Sequence, residues 1–163
     1  MLAALGLALV LSAPPASFAR SGPCDLLDRA TASQLLGKPV ASMEPSGPEP
    51  DEDSGGMRSV CVYQAGTSML MVIQETFKSA AATSDLTTQE LVGERYGGNE
   101  AVTVEEASGM GDRAFWIHSP TAAEYVVLKG AKVLALLLGG TTRAPNSYQE
   151  SLRAVTAGLL AKL

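Results

Sequence analysis

Histidine and tryptophan each occur once in this chain of 163 residues, cysteine occurs twice, and aromatic side chains make up only 5% of it. Each scarcity closes a class of function. A single histidine, His118, cannot by itself build a zinc site or a paired relay, and no H-E-x-x-H or nucleophile-elbow pattern is present. Two cysteines are too few for a cysteine-dense mini-protein, and they do not form a C-x-x-C redox motif. Positive charge is sparse as well. Twelve Lys and Arg face 17 Asp and Glu, for a net charge of −5, and no basic cluster is present. That balance argues against nucleic acid, because release of phosphate counterions needs a basic face. No apolar run approaches the ~20 residues that cross a hydrocarbon core. Collagen-like repeats, coiled-coil heptads and a long disordered chain are also excluded by composition.

What is present fits one folded domain, with 46% hydrophobic and 18% charged residues. Met1 to Ala19 is uncharged and mostly apolar, with its hydrophobic block between Leu2 and Leu11. Pro14-Pro15 and then Ser17-Phe18-Ala19 follow, placing small residues at −3 and −1 of a signal-peptidase site after Ala19. The expectation is a signal peptide over residues 1–19 and a single secreted α+β domain over residues 20–163, starting at Arg20. No Lys or Arg precedes the apolar block, which leaves room for a true start upstream of Met1. Lipidation of Cys24 is disfavoured by its context, Ser21-Gly22-Pro23, since a lipid-accepting cysteine normally follows a small residue. In an exported chain the default for Cys24 and Cys61 is one structural disulfide.

The hydrophobic pattern gives the order α, three strands, α, four strands, α. Asp28 can cap a helix through Leu36 that Gly37 ends. Lys38 to Met43 reads as a strand, and Glu44 to Gly56, punctuated by Pro45, Pro48 and Pro50, reads as an exposed loop. Ser59 to Gln64 and Ser68 to Thr76 form a hairpin about Ala65-Gly66-Thr67. A helix is predicted from Asp85 to Tyr96, with Thr87 and Glu90 as its capping box. Val102 to Glu106, Ala114 to Ser119, Glu124 to Leu128 and Lys132 to Leu138 read as strands. A final helix opens at the capping box Ser147-x-x-Glu150 and carries the stripe Tyr148, Leu152, Val155, Leu159 and Leu163. The fold expected is α+β: an antiparallel sheet of six to seven strands packed by three helices. Ser54-Gly55-Gly56-Met57-Arg58 and Ser108-Gly109-Met110-Gly111-Asp112-Arg113 hint at two related halves.

Cys24-Asp25-Leu26-Leu27, Leu35-Leu36-Gly37-Lys38-Pro39-Val40, Cys61-x-Tyr63 and Gly109-Met110-Gly111-Asp112-Arg113-Ala114 stand in this order ahead of an aromatic strand. The set resembles the small exported domains of actinobacterial lipoproteins grouped as domain of unknown function 3558, over about Pro23 to the C-terminus. The resemblance implies an envelope-associated α+β domain with its two cysteines bonded and no established activity. It also implies a structural role for the turn Gly109, Gly111, Asp112 and Arg113. The chain departs from that family at Cys24, which lacks a lipid-attachment context.

Other motifs carry little chemistry. Gly109-x-Gly111-x-x-Ala114 fits a relaxed dinucleotide fingerprint, but Phe115-Trp116-Ile117 continues as strand where a helix is required. Asp51-x-Asp53-x-Gly55-Gly56 begins like a calcium loop, yet its twelfth position is Val62 instead of a bidentate Glu. Glu105-Glu106 and the pair Glu90 and Glu94 read as solvated faces. The function expected is a non-catalytic envelope binding module, a monomer without cofactor or metal, whose partner is another envelope protein or a small ligand. Two alternatives stand beside it. One is a hydrolase centred on His118, with Ser119 or a carboxylate. The other is soft-metal binding of Cu(I) or Ag(I) through Met69, Met71 and His118 beside Trp116.

Overall fold

The computed structural model describes residues 22–52, 55–86, 101–141 and 143–163. The signal-peptide reading, Glu90, Glu94, Asp53 and all but the first two residues of the helix predicted from Asp85 to Tyr96 lie outside these residues; the helix does not begin at Asp85, which instead ends a short helix over Ala80–Ser84. Two short helices come first, α1 (Pro23–Leu26) and α2 (Arg29–Leu36). Asp28 caps α2 as its side chain predicts, accepting from the Thr31 N–H at 2.8 Å and the Thr31 hydroxyl at 2.9 Å.

Seven strands follow: β1 (Ser42–Asp51), β2 (Gly56–Ala65), β3 (Ser68–Thr76), β4 (Thr103–Ala107), β5 (Arg113–His118), β6 (Ala122–Lys129) and β7 (Lys132–Gly139). Helix α3 (Ala80–Ser84) comes between β3 and β4, and α4 (Gln149–Leu160) closes the chain after a tight helical turn, Pro145–Tyr148. The strands make one antiparallel sheet in the order β1-β2-β3-β7-β6-β5-β4. Two meanders therefore meet at its centre, where β3 pairs with β7 from Met69↔Gly139 to Thr76↔Lys132. The α+β class and antiparallel sheet are as expected from the sequence.

Three local expectations are corrected. Glu44 to Asp51 is strand, not loop, and pairs with β2 from Ser42↔Gln64 to Asp51↔Gly56. Prolines 45, 48 and 50 are tolerated because β1 is an edge strand, where half of the backbone N–H groups need no partner. The register shifts between Ser46 and Glu49 around Gly47, which absorbs the kink. Ser147 does not cap α4, since its hydroxyl donates instead to the Ala144 carbonyl at 2.7 Å inside the preceding turn. The strand expected from Lys38 begins only at Ser42.

Side chains alternate across the sheet. On one face Cys61, Tyr63, Leu70, Val72, Trp116, Tyr125, Leu134 and Leu136 pack beneath Leu35, Leu36, Leu152 and Leu159 from α2 and α4. The other face gathers Ile73, Phe115, Ile117, Val126, Leu128 and Val133, with Phe77, Ala82 and Leu86 against it. The two glycine-rich motifs owe part of their likeness to a shared need. A Cβ at Gly56 would lie 1.8 Å from the Thr76 carbonyl oxygen, and one at Gly111 would lie 2.3 Å from that of Leu128.

Candidate functional site

Strand β2 and the N-terminal helices are joined by two residues on one face. Cys61 is bonded to Cys24, with Cα atoms 5.0 Å apart. Two positions on, the Tyr63 hydroxyl donates to the Leu27 carbonyl and, at 3.3 Å, lies within reach of the Cys24 carbonyl. The spacing Cys61-x-Tyr63 thus aims one covalent and one polar tie at the same short segment. Burial, with the nearby charges of Asp28 and Asp25, pushes the Tyr63 phenol up to about 12.

Beside this junction the helix-side face of β1, β2 and β3 is left partly uncovered. A groove of about 570 Å³ runs there, lined by Met43, Pro45, Met57, Ser59 and Gln74, with Cys24 and Asp25 of α1 in its wall. Met43 and Met57 are 40% and 41% exposed, unusual for large apolar side chains in this molecule. The volume falls within the range of small-molecule pockets, roughly 300 to 1,000 Å³. Several of its lining residues stand in motifs read from sequence, among them Cys24, Asp25, Pro45 and Met57, but none of them was read as part of a binding site. Met43 read as the end of a strand and Met57 as part of the segment before a hairpin, and only the sheet order places them side by side where no helix among the described residues covers them.

His118 ends β5 with its ring 5.9 Å from that of Trp116. Its Nε2 lies 3.7 Å from Oε1 of Glu105 on β4, beyond hydrogen-bonding distance. Thr103 is its cross-strand partner, and both line a hollow of about 290 Å³ with Ser119, Pro120 and Asn146. Sequence reading missed Glu105 as a neighbour of His118, because adjacency across strands depends on a register that no local pattern encodes. Ser119 is 2% exposed, and its hydroxyl accepts from the Thr121 and Ala122 N–H groups at 3.4 and 3.2 Å. These bonds tie it into the β5–β6 turn.

The soft-metal constellation does not assemble. Met71 packs on the face with Ile73, and Met69 shares that side by alternation, whereas Trp116 belongs to the opposite face with His118. Their strands are also separated by β7 and β6, so β3 and β5 stand ~14 Å apart at the usual spacing. Asp51, first residue of the calcium-like pattern, ends β1 opposite Gly56.

The turn before β5 works as a clasp. The Gly109 and Gly111 backbones take φ of +83° and +58°. The Asp112 carboxylate accepts from the Gly130 N–H at 2.7 Å, holding the β6–β7 turn. Arg113 donates to the Ser84 and Leu86 carbonyls at 3.2 and 2.9 Å and lies over the Phe115 ring at 5.0 Å. The two charged residues therefore reach different elements, and neither needs a ligand to explain it. Sequence analysis also passed over Glu124, which begins a strand pattern yet is fully buried between Ile117 and Leu137 in register.

No family model matches this chain, and no curated protein matches it either. Among solved structures, the extracellular domain of PknH from Mycobacterium tuberculosis is similar, with a TM-score of 0.50 and 8% identity over 83% of this chain and 91% of that one. At that identity the likeness is one of fold.

Proposed function

We propose that this chain is an exported, envelope-associated binding module of the kind its sequence resembles in domain of unknown function 3558, and that it holds a small ligand or a partner's apolar side chains without catalysing a reaction. The observation that carries this reading is the groove beside the Cys24–Cys61 bond, with Met43 and Met57 exposed at its floor. A disulfide suits an oxidising compartment. The fold shared with an extracellular domain and the apolar segment ahead of Arg20 support export. Among the described residues no helix is long and apolar enough to cross a membrane.

The test is mass spectrometry, native and then denaturing without reductant, on protein recovered from an envelope or culture fraction. A chain beginning at Arg20, two hydrogens light, is the expected product. An adduct retained by wild type and lost in Met57→Glu supports the groove, and retention by both proteins overturns it. A lipid adduct on Cys24 would overturn the unanchored form of the proposal.

The hydrolase reading keeps one observation in its favour, the approach of Glu105 to His118. It lacks an activated nucleophile, since the Ser119 hydroxyl is engaged by its own turn. Ester hydrolysis that disappears in His118→Ala would restore it.

A further inference from the structure

A third concavity lies between α2 and the start of α4, separate from the groove and sharing the turn Pro145–Tyr148 with the hollow beside His118. It encloses about 280 Å³, with Thr31, Gln34 and Leu35 from α2 facing Ser147, Tyr148 and Ser151, and with Arg143 at its rim. Its chemistry divides into two sets. Thr31 and Ser147 already spend their hydroxyl protons, on Asp28 at 2.9 Å and on the Ala144 carbonyl at 2.7 Å, so each presents its oxygen to the cleft as an acceptor. Arg143, the Gln34 amide and the hydroxyls of Ser151 and Tyr148 make no side-chain hydrogen bond or ion pair among the described residues. Each has a donor that meets no acceptor among the described residues, and the oxygens of Gln34, Ser151 and Tyr148 can accept as well. The Arg143 guanidinium is exposed beside Gly37, at the end of α2, in a chain whose net charge is −5. The carboxylate of Asp28, which caps α2, is held by the Thr31 N–H and hydroxyl.

A cation with three further donors suits a carboxylate, because charge-assisted bonds from a guanidinium to a carboxylate are the strongest of this type. Two acceptors beside them suit ligand hydroxyls. The Tyr148 ring with Leu35 and Val155 supplies an apolar wall for the face of a ring. We propose that this cleft binds a small hydroxylated carboxylic acid of the sugar-acid class, its carboxylate on Arg143 and its hydroxyls on Thr31 and Ser147. The inference does not rest on the groove reading.

Glucuronate is the probe, with glucose and acetate as its two halves, titrated into the oxidised protein while backbone amide shifts are followed. Saturable shifts confined to α2 and the start of α4 are expected with glucuronate, and glucose and acetate should each bind at least about tenfold more weakly. Arg143→Gln should weaken glucuronate roughly tenfold or more, the cost of losing one charged hydrogen-bond donor. Arg143 is exposed, and an unchanged Trp116 fluorescence spectrum checks that the variant is folded. Failure to saturate, equal affinity for acetate, which would mean an adventitious anion only, or an Arg143→Gln variant that binds as wild type would each overturn the proposal.

Discussion

Tyr63 shows how one hydroxyl can report on a whole junction. Its phenol is raised to about 12 from 10.0 by burial first, and then by Asp28 and Asp25. For a group that is neutral when protonated, a raised folded value means the folded state keeps its proton longer than the unfolded chain does. The stabilising contribution is therefore complete below pH 10 and is lost as the pH rises from 10 towards 12. Tyr125 is shifted in the same direction, chiefly by burial, so the alkaline slope has two contributors. In urea melts followed between pH 8 and 12, Tyr63→Phe should show a shallower alkaline decline than wild type. It should also be less stable at neutral pH by roughly 1 to 3 kcal/mol, because the Leu27 carbonyl loses a buried donor. Equal alkaline slopes would place the titrating group elsewhere. Asp28 has the opposite sign. Bonds from Thr31 hold its carboxyl below 3.8, so its help to α2 is present above that value and fades as the pH falls through the lowered one.

Among the elements, those with a strong internal period were legible and those that depend on a neighbour were not. Of the stripe read for the last helix, Leu152 and Leu159 are buried on α4, Tyr148 is buried in the turn before it, and Val155 and Leu163 are partly buried; the β2–β3 hairpin turns at Gly66 as expected. β1 was misread because prolines count against a strand only when both of its edges are paired, and its place at the sheet edge is not a local property. The Ser147 box failed for a related reason: Pro145 starts a tight turn earlier, and the hydroxyl is used there. The turn before β5 was rightly marked, but its reach to Gly130 and Leu86 became visible only with the fold. That clasp can be tested at Gly111. A Cβ would press on the Leu128 carbonyl, and the backbone φ of +58° disfavours any L side chain. Gly111→Ala should destabilise the protein by roughly 2 kcal/mol or more in chemical unfolding, in line with strain at a special backbone position. Gly130→Ala, also at positive φ but with nothing within 4 Å of its Cβ, is the control and should cost less. If the two cost the same, backbone conformation alone explains Gly111 and the close approach to Leu128 adds nothing.

At the scale of the molecule, the candidate sites arise from how the two meanders join. Pairing β3 with β7 puts β1 at the outer edge of the sheet, and the groove forms on the helix-side face where Met43 and Pro45 of β1 meet Met57 and Ser59 at the start of β2. The cysteines could be read from sequence as a bonded pair, but not as the wall of a cavity. Their bond closes a sequence separation of 37 residues, which corresponds to roughly 3 to 4 kcal/mol in the chain-entropy account. Replacing both with serine should lower the unfolding free energy by about that much. The loss should not be uniform. α1 is a single turn held, besides the disulfide, by the buried Leu26 and by the Lys162 ammonium on the Leu26 carbonyl at 2.7 Å, whereas α2 has two turns with the Asp28 cap and the packing of Leu35 and Leu36. Tyr63 still reaches Leu27, so release should stop near the end of α1. Hydrogen exchange on the Cys24→Ser/Cys61→Ser variant is therefore expected to show amides of α1 unprotected while α2 and the sheet exchange only through global unfolding. Any adduct held in the groove should be lost with the same change, because Cys24 and Asp25 form its wall. A variant that keeps α1 protected, or that retains the adduct, would show that packing alone positions the wall.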